Sequence, residues 1–98
     1  MRRAARTDSN HREIVQALRA IGASVWDTSG CGKGAPDLVC GFRGKNIAFE
    51  VKDGKKPPSA RLLTPAEANW HECWRGQITL IYDAQSAVKT VLFLTRGK

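Results

Sequence analysis

The chain has 98 residues, enough for one domain with one modest apolar core. No stretch approaches the ~18 consecutive apolar residues of a membrane span, and no signal-peptide pattern is present, so we expect a cytoplasmic protein without a membrane partner. Sixteen basic residues against nine acidic ones give a net charge of +7, which favours a polyanionic partner such as nucleic acid. Three cysteines without a C-x-x-C spacing predict reduced thiols rather than a zinc site.

The first part of the chain predicts a basic arm followed by an amphipathic helix. Residues 1–7 (MRRAART) are expected to be mobile, either as a solvated tail or as an extension that grips phosphates. Glu13 lies in the helix beside its apolar stripe. It can cap the helix together with Asn10 or point at a functional site, and the spacing alone slightly favours the cap. The helix is predicted over residues 8–21, ending at Gly22, from apolar residues at helical spacing: Ile14, Val15, Leu18 and Ile21.

A short strand and a glycine-rich loop follow this helix. Residues 23–28 predict the strand, and residues 29–35 (SGCGKGA) predict a flexible loop. The loop superficially matches a dinucleotide-binding fingerprint, but a strand rather than a helix follows it. No Walker A motif is present either, because Gly34 comes directly after Lys33. We therefore expect no nucleotide cofactor, while Lys33 is a candidate phosphate contact.

The central feature of the sequence is a predicted β-hairpin over residues 36–52. Two short runs rich in apolar and β-branched residues, DLVCGF and IAFEVK, are joined by the turn-forming RGKN. With the turn centred on residues 44 and 45, the expected cross-strand pairs are Phe42 with Ile47, Cys40 with Phe49, Leu38 with Val51 and Asp37 with Lys52. Because side chains alternate along a strand, one face is wholly apolar and must be buried: Leu38, Cys40, Phe42, Ile47, Phe49 and Val51.

The opposite face of the hairpin gathers charge at one end. Asp37 and Glu50 are expected within about 5–8 Å of each other, with Lys52 beside them. This arrangement suits Mg²⁺, which prefers one or two carboxylates completed by waters and a substrate phosphate. The alternative is that Asp37 only marks a turn and that Glu50 and Lys52 form a surface ion pair. The joint pattern is more specific than either part, and it favours the functional interpretation.

Basic residues recur in the loops around the hairpin. Residues 53–63 (DGKKPPSARLL) are rich in proline and cannot continue the sheet. They predict either a solvated linker or a loop that faces DNA. The candidate DNA contacts are Lys33, Arg43, Lys45, Lys55, Lys56 and Arg61.

The last third of the chain predicts a helix, a strand and a second helix. Thr64, Pro65 and Glu67 form a strong start for a helix that runs to residue 75. Residues 77–82 predict a buried strand, and a final helix begins after Asp83. The tryptophans of the first of these helices, at residues 70 and 74, are interpreted as core rather than as base-stacking platforms. Nothing in the sequence supports a catalytic triad around His71.

The order of elements and motifs resembles the PD-(D/E)xK nuclease superfamily and, more narrowly, a stand-alone virus-type replication-repair nuclease (VRR-NUC) domain. The resemblance spans residues 10–94. It implies a single nuclease domain over residues 1–98 with an α/β, restriction-endonuclease-like core: a mixed central β-sheet flanked by helices in the order α-β-β-β-α-β-α. It rests on Glu13, on the G-x-P-D element Gly34-Ala35-Pro36-Asp37, on Glu50-Val51-Lys52, on L-T-P-A-E at residues 63–67 and on the strand I-T-L-I-Y.

The same resemblance implies a metal site and a hydrolytic reaction. Glu13, Asp37, Glu50 and the backbone carbonyl of Val51 would bind Mg²⁺ or Mn²⁺. Lys52 would orient or deprotonate the attacking water and steady the phosphate. One departure concerns the residue after L-T-P-A, which is often glutamine in this superfamily. Here it is Glu67, which either adds negative charge near the metal or only caps its helix.

These residues can be compared with the requirements of three classes of function. The resemblance implies a metal-dependent DNA endonuclease that acts on branched DNA, such as four-way (Holliday) junctions, as a symmetric homodimer in a bacterium or a phage-infected host cell. The alternative is a non-catalytic nucleic-acid-binding module with a structural acidic cluster. The third function is a small-molecule phosphohydrolase, but the sequence has no phosphate-binding loop and no base pocket that would support it. We therefore predict the endonuclease.

Overall fold

The computed structural model describes residues 9–97, so the predicted basic arm at residues 1–7 lies outside the described part of the chain. The elements are α1 (His11–Ala20), β1 (Ser24–Asp27), β2 (Leu38–Phe42), β3 (Lys45–Val51), α2 (Pro65–Cys73), β4 (Thr79–Ile81) and α3 (Ala84–Leu94), with short 3-10 turns at Ser29–Cys31 and Pro58–Arg61. The four strands form one sheet in the order β1-β2-β3-β4, with β4 parallel to β3 and the other pairs antiparallel. This confirms the predicted mixed sheet and the order α-β-β-β-α-β-α.

The apolar core lies between one face of the sheet and the helices α1 and α3. Ile14 and Leu18 of α1 are fully buried, as the helical spacing predicts, and Ala87 and Val91 of α3 join them. Burial of an aliphatic side chain of this size stabilises the fold by roughly 1.5–3 kcal/mol. Phe42 is half-buried at the edge of the core. The rest of the predicted apolar face of the hairpin is buried: Leu38, Cys40, Ile47, Phe49 and Val51.

The hairpin register differs from the predicted one by two residues. Leu38 pairs with Phe49 rather than Val51, and Phe42 pairs with Lys45 rather than Ile47. The turn consists of Arg43 and Gly44, with φ of 52° and 79°. A two-residue hairpin turn of type I′ needs positive φ at both positions, which explains why the turn begins one residue earlier than expected. A slip of two residues keeps every side chain on its predicted face.

Helices α1 and α2 are shorter than predicted, and the prediction that Asn10 caps α1 through its side chain is wrong. The Asn10 side chain makes no capping bond to α1. It donates instead to the carbonyl oxygens of Lys52 (3.3 Å) and Tyr82 (2.7 Å), so it ties the start of α1 to the ends of β3 and β4. The cap of α2 is as predicted, because Thr64 and Glu67 form a complete capping box. Asp83 likewise caps α3.

The prediction that both tryptophans belong to the core is wrong: Trp70 is half-buried outside the apolar core, and Trp74 is exposed. Its side chain is 49% exposed. It stacks on the half-buried Trp70, with ring centroids 4.8 Å apart. Helix α2 has no buried residue, and its contacts with the sheet include the polar pair of Glu67 with Lys52.

Gly34 brings the glycine-rich loop against the first turn of α2. Its φ is +81°, and a Cβ at this position would collide with the carbonyl oxygen of Ala66 and approach the amide nitrogen of Glu67. Gly32 in the same loop also has a positive φ, of +74°, but it has open space around it. The loop and α2 can therefore approach this closely only because residue 34 has no side chain.

We expect Gly34→Ala to destabilise the protein by ~3 kcal/mol or more, because it adds a steric collision to a left-handed backbone. Gly32→Ala is the matched control and should cost only ~1–2 kcal/mol, the backbone penalty alone. Urea denaturation of both variants measures the difference. Equal losses of stability would contradict the close packing of the loop on α2.

Candidate active site

Asp37 is held in place by its backbone and by its side chain. Its N–H donates to the carbonyl of Phe49, and its carbonyl accepts from the N–H of Thr28, both at 2.9 Å. Its Oδ2 accepts a hydrogen bond of 2.7 Å from the N–H of Val51. The observed register, continued by one residue beyond β2, places Asp37 opposite Glu50 rather than opposite Lys52. The slip in the hairpin thus brings the two predicted acids directly together.

Glu50 is a carboxyl group in the interior of the protein. Its side chain is 1% exposed, and it lies on the face of β3 away from the apolar core residues Phe49 and Val51. Burial raises its pKa to about 10, and hydrogen bonding with Asp37 and the charges of Asp37 and Glu67 act in the same direction. Its Oε1 has no hydrogen-bond partner among the described residues. A buried carboxyl of this kind is typical of a site that awaits a positive charge.

Lys52 lies on the same face of the sheet as Glu50, two residues further along, and binds Glu67. The distance from Lys52 Nζ to Glu67 Oε1 is 2.8 Å, and both side chains are largely buried. The same oxygen of Glu67 accepts from the N–H of Thr64 in the capping box. Burial works against ionisation of Glu67, but hydrogen bonds from Lys52, Thr64 and Glu50 outweigh it and lower the pKa. Glu67 therefore caps α2 and contacts the predicted catalytic lysine as well.

Asp37, Glu50, Lys52 and Glu67 form a polar cluster on this face of the sheet, called the acidic cluster below. His71 also belongs to it, and the sequence analysis did not predict this. Its Nε2 lies 3.8 Å from Oε1 of Glu50. It follows Glu67 by four residues, so the two side chains lie on the same face of α2. The sequence does show the four-residue spacing on a helix that starts with a capping box. That spacing indicates a site residue only once the position of α2 over the sheet is known.

None of the contacts described above involves Glu13. It is exposed and lines a hollow of about 260 Å³ together with Asn10, Asp53 and Lys55. Asp53 is buried and accepts hydrogen bonds from Ser9 (2.9 Å) and from the N–H of Lys55 (2.9 Å). The role of Glu13 as a metal ligand stays a prediction.

The cluster fits a divalent cation with few protein ligands. Within residues 9–97 no three side chains of His, Cys, Asp or Glu form a ready ligand set. Asp37 and Glu50 provide two carboxylates, the number that Mg²⁺ commonly takes before waters and phosphate complete its shell. The unpartnered Oε1 of Glu50 supports the fit, because a cation would satisfy it. The predicted contribution of the Val51 carbonyl stays a prediction.

The predicted DNA contacts lie in different parts of the structure. Arg43 and Lys45 are exposed at the hairpin turn, roughly 17 Å along β3 from Glu50. Lys33 lies in the loop that leads to Asp37. The guanidinium of Arg61 lies over the Tyr82 ring, 5.5 Å from its centre. Lys55 and Lys56 are exposed in the loop that follows the end of β3. All six DNA contacts stay predictions.

Because the pKa of Glu50 is raised, the free energy of unfolding should depend on pH in a buffer that contains a chelator. The folded state keeps the proton up to about pH 10, whereas the unfolded state releases it near 4.5. Stability contributed by this group therefore falls as pH rises, by ~1.4 kcal/mol per pH unit between the two values. We expect Glu50→Gln to remove this slope between pH 6 and 8. Urea denaturation in EDTA measures it.

Glu72→Gln, an exposed carboxyl on α2, is the control for this measurement and should keep the slope. The shifted carboxyls of Asp27, Asp53, Glu67 and Asp83 have lowered pKa values and titrate below this window. Cys40, whose thiol pKa is raised by burial, titrates above it. An identical pH dependence of the wild type and Glu50→Gln would show that Glu50 is ionised in the folded protein.

Comparison with known proteins supports the fold. A solved structure described as a VRR_NUC domain is similar to this chain with a TM-score of 0.61 and 24% sequence identity, covering 93% of this chain and 100% of that one. No protein-family model matches the sequence, and the search of curated proteins found no significant match. No helix within residues 9–97 is long and apolar enough to cross a membrane. The chain thus has the fold of a VRR_NUC domain, the fold that the resemblance in its sequence implied.

Proposed function

We propose that this protein is a metal-dependent endodeoxyribonuclease that hydrolyses phosphodiester bonds. The observation that carries the proposal is the buried carboxyl of Glu50, which meets Asp37 across the hairpin and has Lys52 beside it. The fold adds support, since the similar solved structure is described as a VRR_NUC domain. Composition agrees, because a net charge of +7 favours a polyanionic substrate.

The residues of the cluster have distinct tasks in this proposal. Asp37 and Glu50 would hold Mg²⁺ or Mn²⁺, with the carbonyl of Val51 and with Glu13 as further predicted ligands. A bound divalent ion supplies two effects, acidification of water and stabilisation of charge on phosphate oxygens. Lys52 donates hydrogen bonds to a phosphate oxygen or to the attacking water. Glu67 holds the Lys52 ammonium in position, and Asp37 is itself fixed by the N–H of Val51.

The proposed substrate is branched DNA, such as a four-way junction, in the cytoplasm of a bacterium or a phage-infected host cell. The sequence resemblance supports this choice. Exposed basic side chains in the loops that precede Asp37 (Lys33) and follow Lys52 (Lys55 and Lys56) can bind phosphates. A junction has paired scissile sites, so a symmetric homodimer is the assembly that fits it.

A specific observation favours a second candidate, a nucleic-acid-binding module without catalysis. Lys52 is already engaged by Glu67, and the described chain has no ready set of three metal ligands. In that case the Glu50 carboxyl would stay protonated and the cluster would be structural. The two functions differ in whether DNA is cut when a divalent cation is added.

Labelled four-way junction, flap and linear duplex, each incubated with Mg²⁺, Mn²⁺ or EDTA, test the proposal. We expect cleavage with either cation and none in EDTA. Asp37→Asn and Lys52→Met should each lower the rate by ~100-fold or more, because they remove a ligand and a transition-state donor. Glu72→Gln is the control on an exposed face of α2. Binding to DNA without cleavage under any cation, or full cleavage by Asp37→Asn, would overturn the nuclease proposal.

The assembly has its own test, because the chain has a mass of 10.8 kDa. Light scattering at micromolar concentration should give twice that mass for the free protein and the mass of one junction plus two chains for the complex, since two symmetric incisions need two active sites. A monomer that cleaves both strands of a junction in one encounter would contradict the dimer without affecting the nuclease proposal.

A further inference from the structure

Two polar atoms face each other in the cluster without a partner. They are Oε1 of Glu50 and Nε2 of His71, 3.8 Å apart. Each is buried, and neither has a hydrogen-bond partner among the described residues. The separation is too long for a hydrogen bond between them. A buried polar atom left unsatisfied costs roughly 1–3 kcal/mol, so two of them at one point indicate a missing ligand.

His71 is held in this position by the way α2 sits on the sheet. The capping box fixes the first turn of α2, and Glu67 of that turn binds Lys52 of the sheet. One turn later the imidazole of His71 points back at Glu50, with the ring of Trp70 edge-on to it at 6.1 Å between centroids. Its side chain is 19% exposed, so little water reaches it. The imidazole is thus aimed at Glu50 before any ligand arrives.

We propose that His71 is a further metal ligand of this site, binding through Nε2 the cation that Glu50 holds. The inference rests on the metal site of the proposed function. Bonds from a small divalent metal to imidazole nitrogen and to carboxylate oxygen are each about 2.0–2.2 Å, and their sum exceeds the observed 3.8 Å, so one ion reaches both atoms.

A nitrogen ligand changes which cation the site prefers. Mg²⁺ takes oxygen ligands and keeps its waters, whereas imidazole suits first-row transition metals. A site with Glu50 and His71 should therefore bind Mn²⁺ more tightly than Mg²⁺. The difference between the two affinities should be larger than in a site with two carboxylates and no imidazole. The simpler explanation is an ion pair of a protonated His71 with an ionised Glu50, which gives His71 no effect on metal affinity.

Isothermal titration calorimetry with Mn²⁺ and Mg²⁺ distinguishes these explanations. We expect His71→Ala to weaken Mn²⁺ binding by ~10-fold or more, the usual scale for a ligand or its direct support, and to change Mg²⁺ binding by less than ~3-fold. Glu72→Ala, the exposed neighbour on α2, should leave both affinities unchanged. Mn²⁺ affinity that is equal in His71→Ala and the wild type would overturn the inference.

Wild-type protein provides a second readout if His71→Ala fails to fold. The chain has two histidines, and His11 lies against Asp27, with its Nε2 3.4 Å from the carboxylate. With one equivalent of Zn²⁺, nitrogen-15 spectra should show a large shift at Nε2 of His71 and none at His11. An unshifted His71 in zinc-loaded protein would overturn the inference.

These measurements also separate this inference from the proposed function. If the wild type binds Mn²⁺ and Asp37→Asn abolishes that binding while His71→Ala does not change it, the metal site stands and the histidine ligand falls. If the wild type binds no divalent cation at all, the metal site of the proposed function falls, and the histidine ligand falls with it.

Discussion

The burial of the Glu50 carboxyl is the constraint around which the rest of this structure is arranged. A carboxyl group that is 1% exposed is stable in its ionised form only beside a compensating positive charge. The groups nearest to it include two further acids, Asp37 and Glu67, which raise its pKa instead. A globular fold has no need of such a cluster for stability, since an apolar side chain of the same size would be better tolerated there. The arrangement is therefore more consistent with a binding site than with a structural ion pair.

The fold delivers these side chains from three separate segments. The hairpin places Asp37 opposite Glu50, and the N–H of Val51 fixes the Asp37 carboxylate. The capping box of α2 places Glu67 and, one turn later, His71 over the same face of the sheet. Gly34 permits the approach, since any side chain there would push α2 away. The hairpin turn, the helix cap and the glycine thus together position the polar cluster on the face of the sheet opposite the apolar core.

Sequence reasoning predicted the elements and the acids, but not how the elements meet. Alternation along the hairpin identified its buried face correctly, because that pattern survives a two-residue slip in register. The slip itself depended on Arg43 adopting a positive φ, which is uncommon for a residue with a side chain. Asn10 looked like a helix cap and instead binds backbone carbonyls of two strands. The exposure of Trp74 and the contact of His71 with Glu50 depend on how α2 lies on the sheet. The sequence of a helix does not reveal that orientation.

On the proposed function, the carboxylate of Glu67 fits a site that requires a cation before it accepts a phosphate. Three carboxyl groups, those of Asp37, Glu50 and Glu67, lie together with the one ammonium of Lys52, although Glu50 keeps its proton while no cation is bound. Without a cation this corner of the protein repels phosphate, although the net charge of +7 attracts DNA to the molecule as a whole. On the proposed function, general attraction would gather DNA and the loaded cation would decide whether a phosphodiester enters the cluster. Binding of DNA and its cleavage would then depend on different groups of charges, and this separation explains how a small basic domain can hold a strongly acidic site.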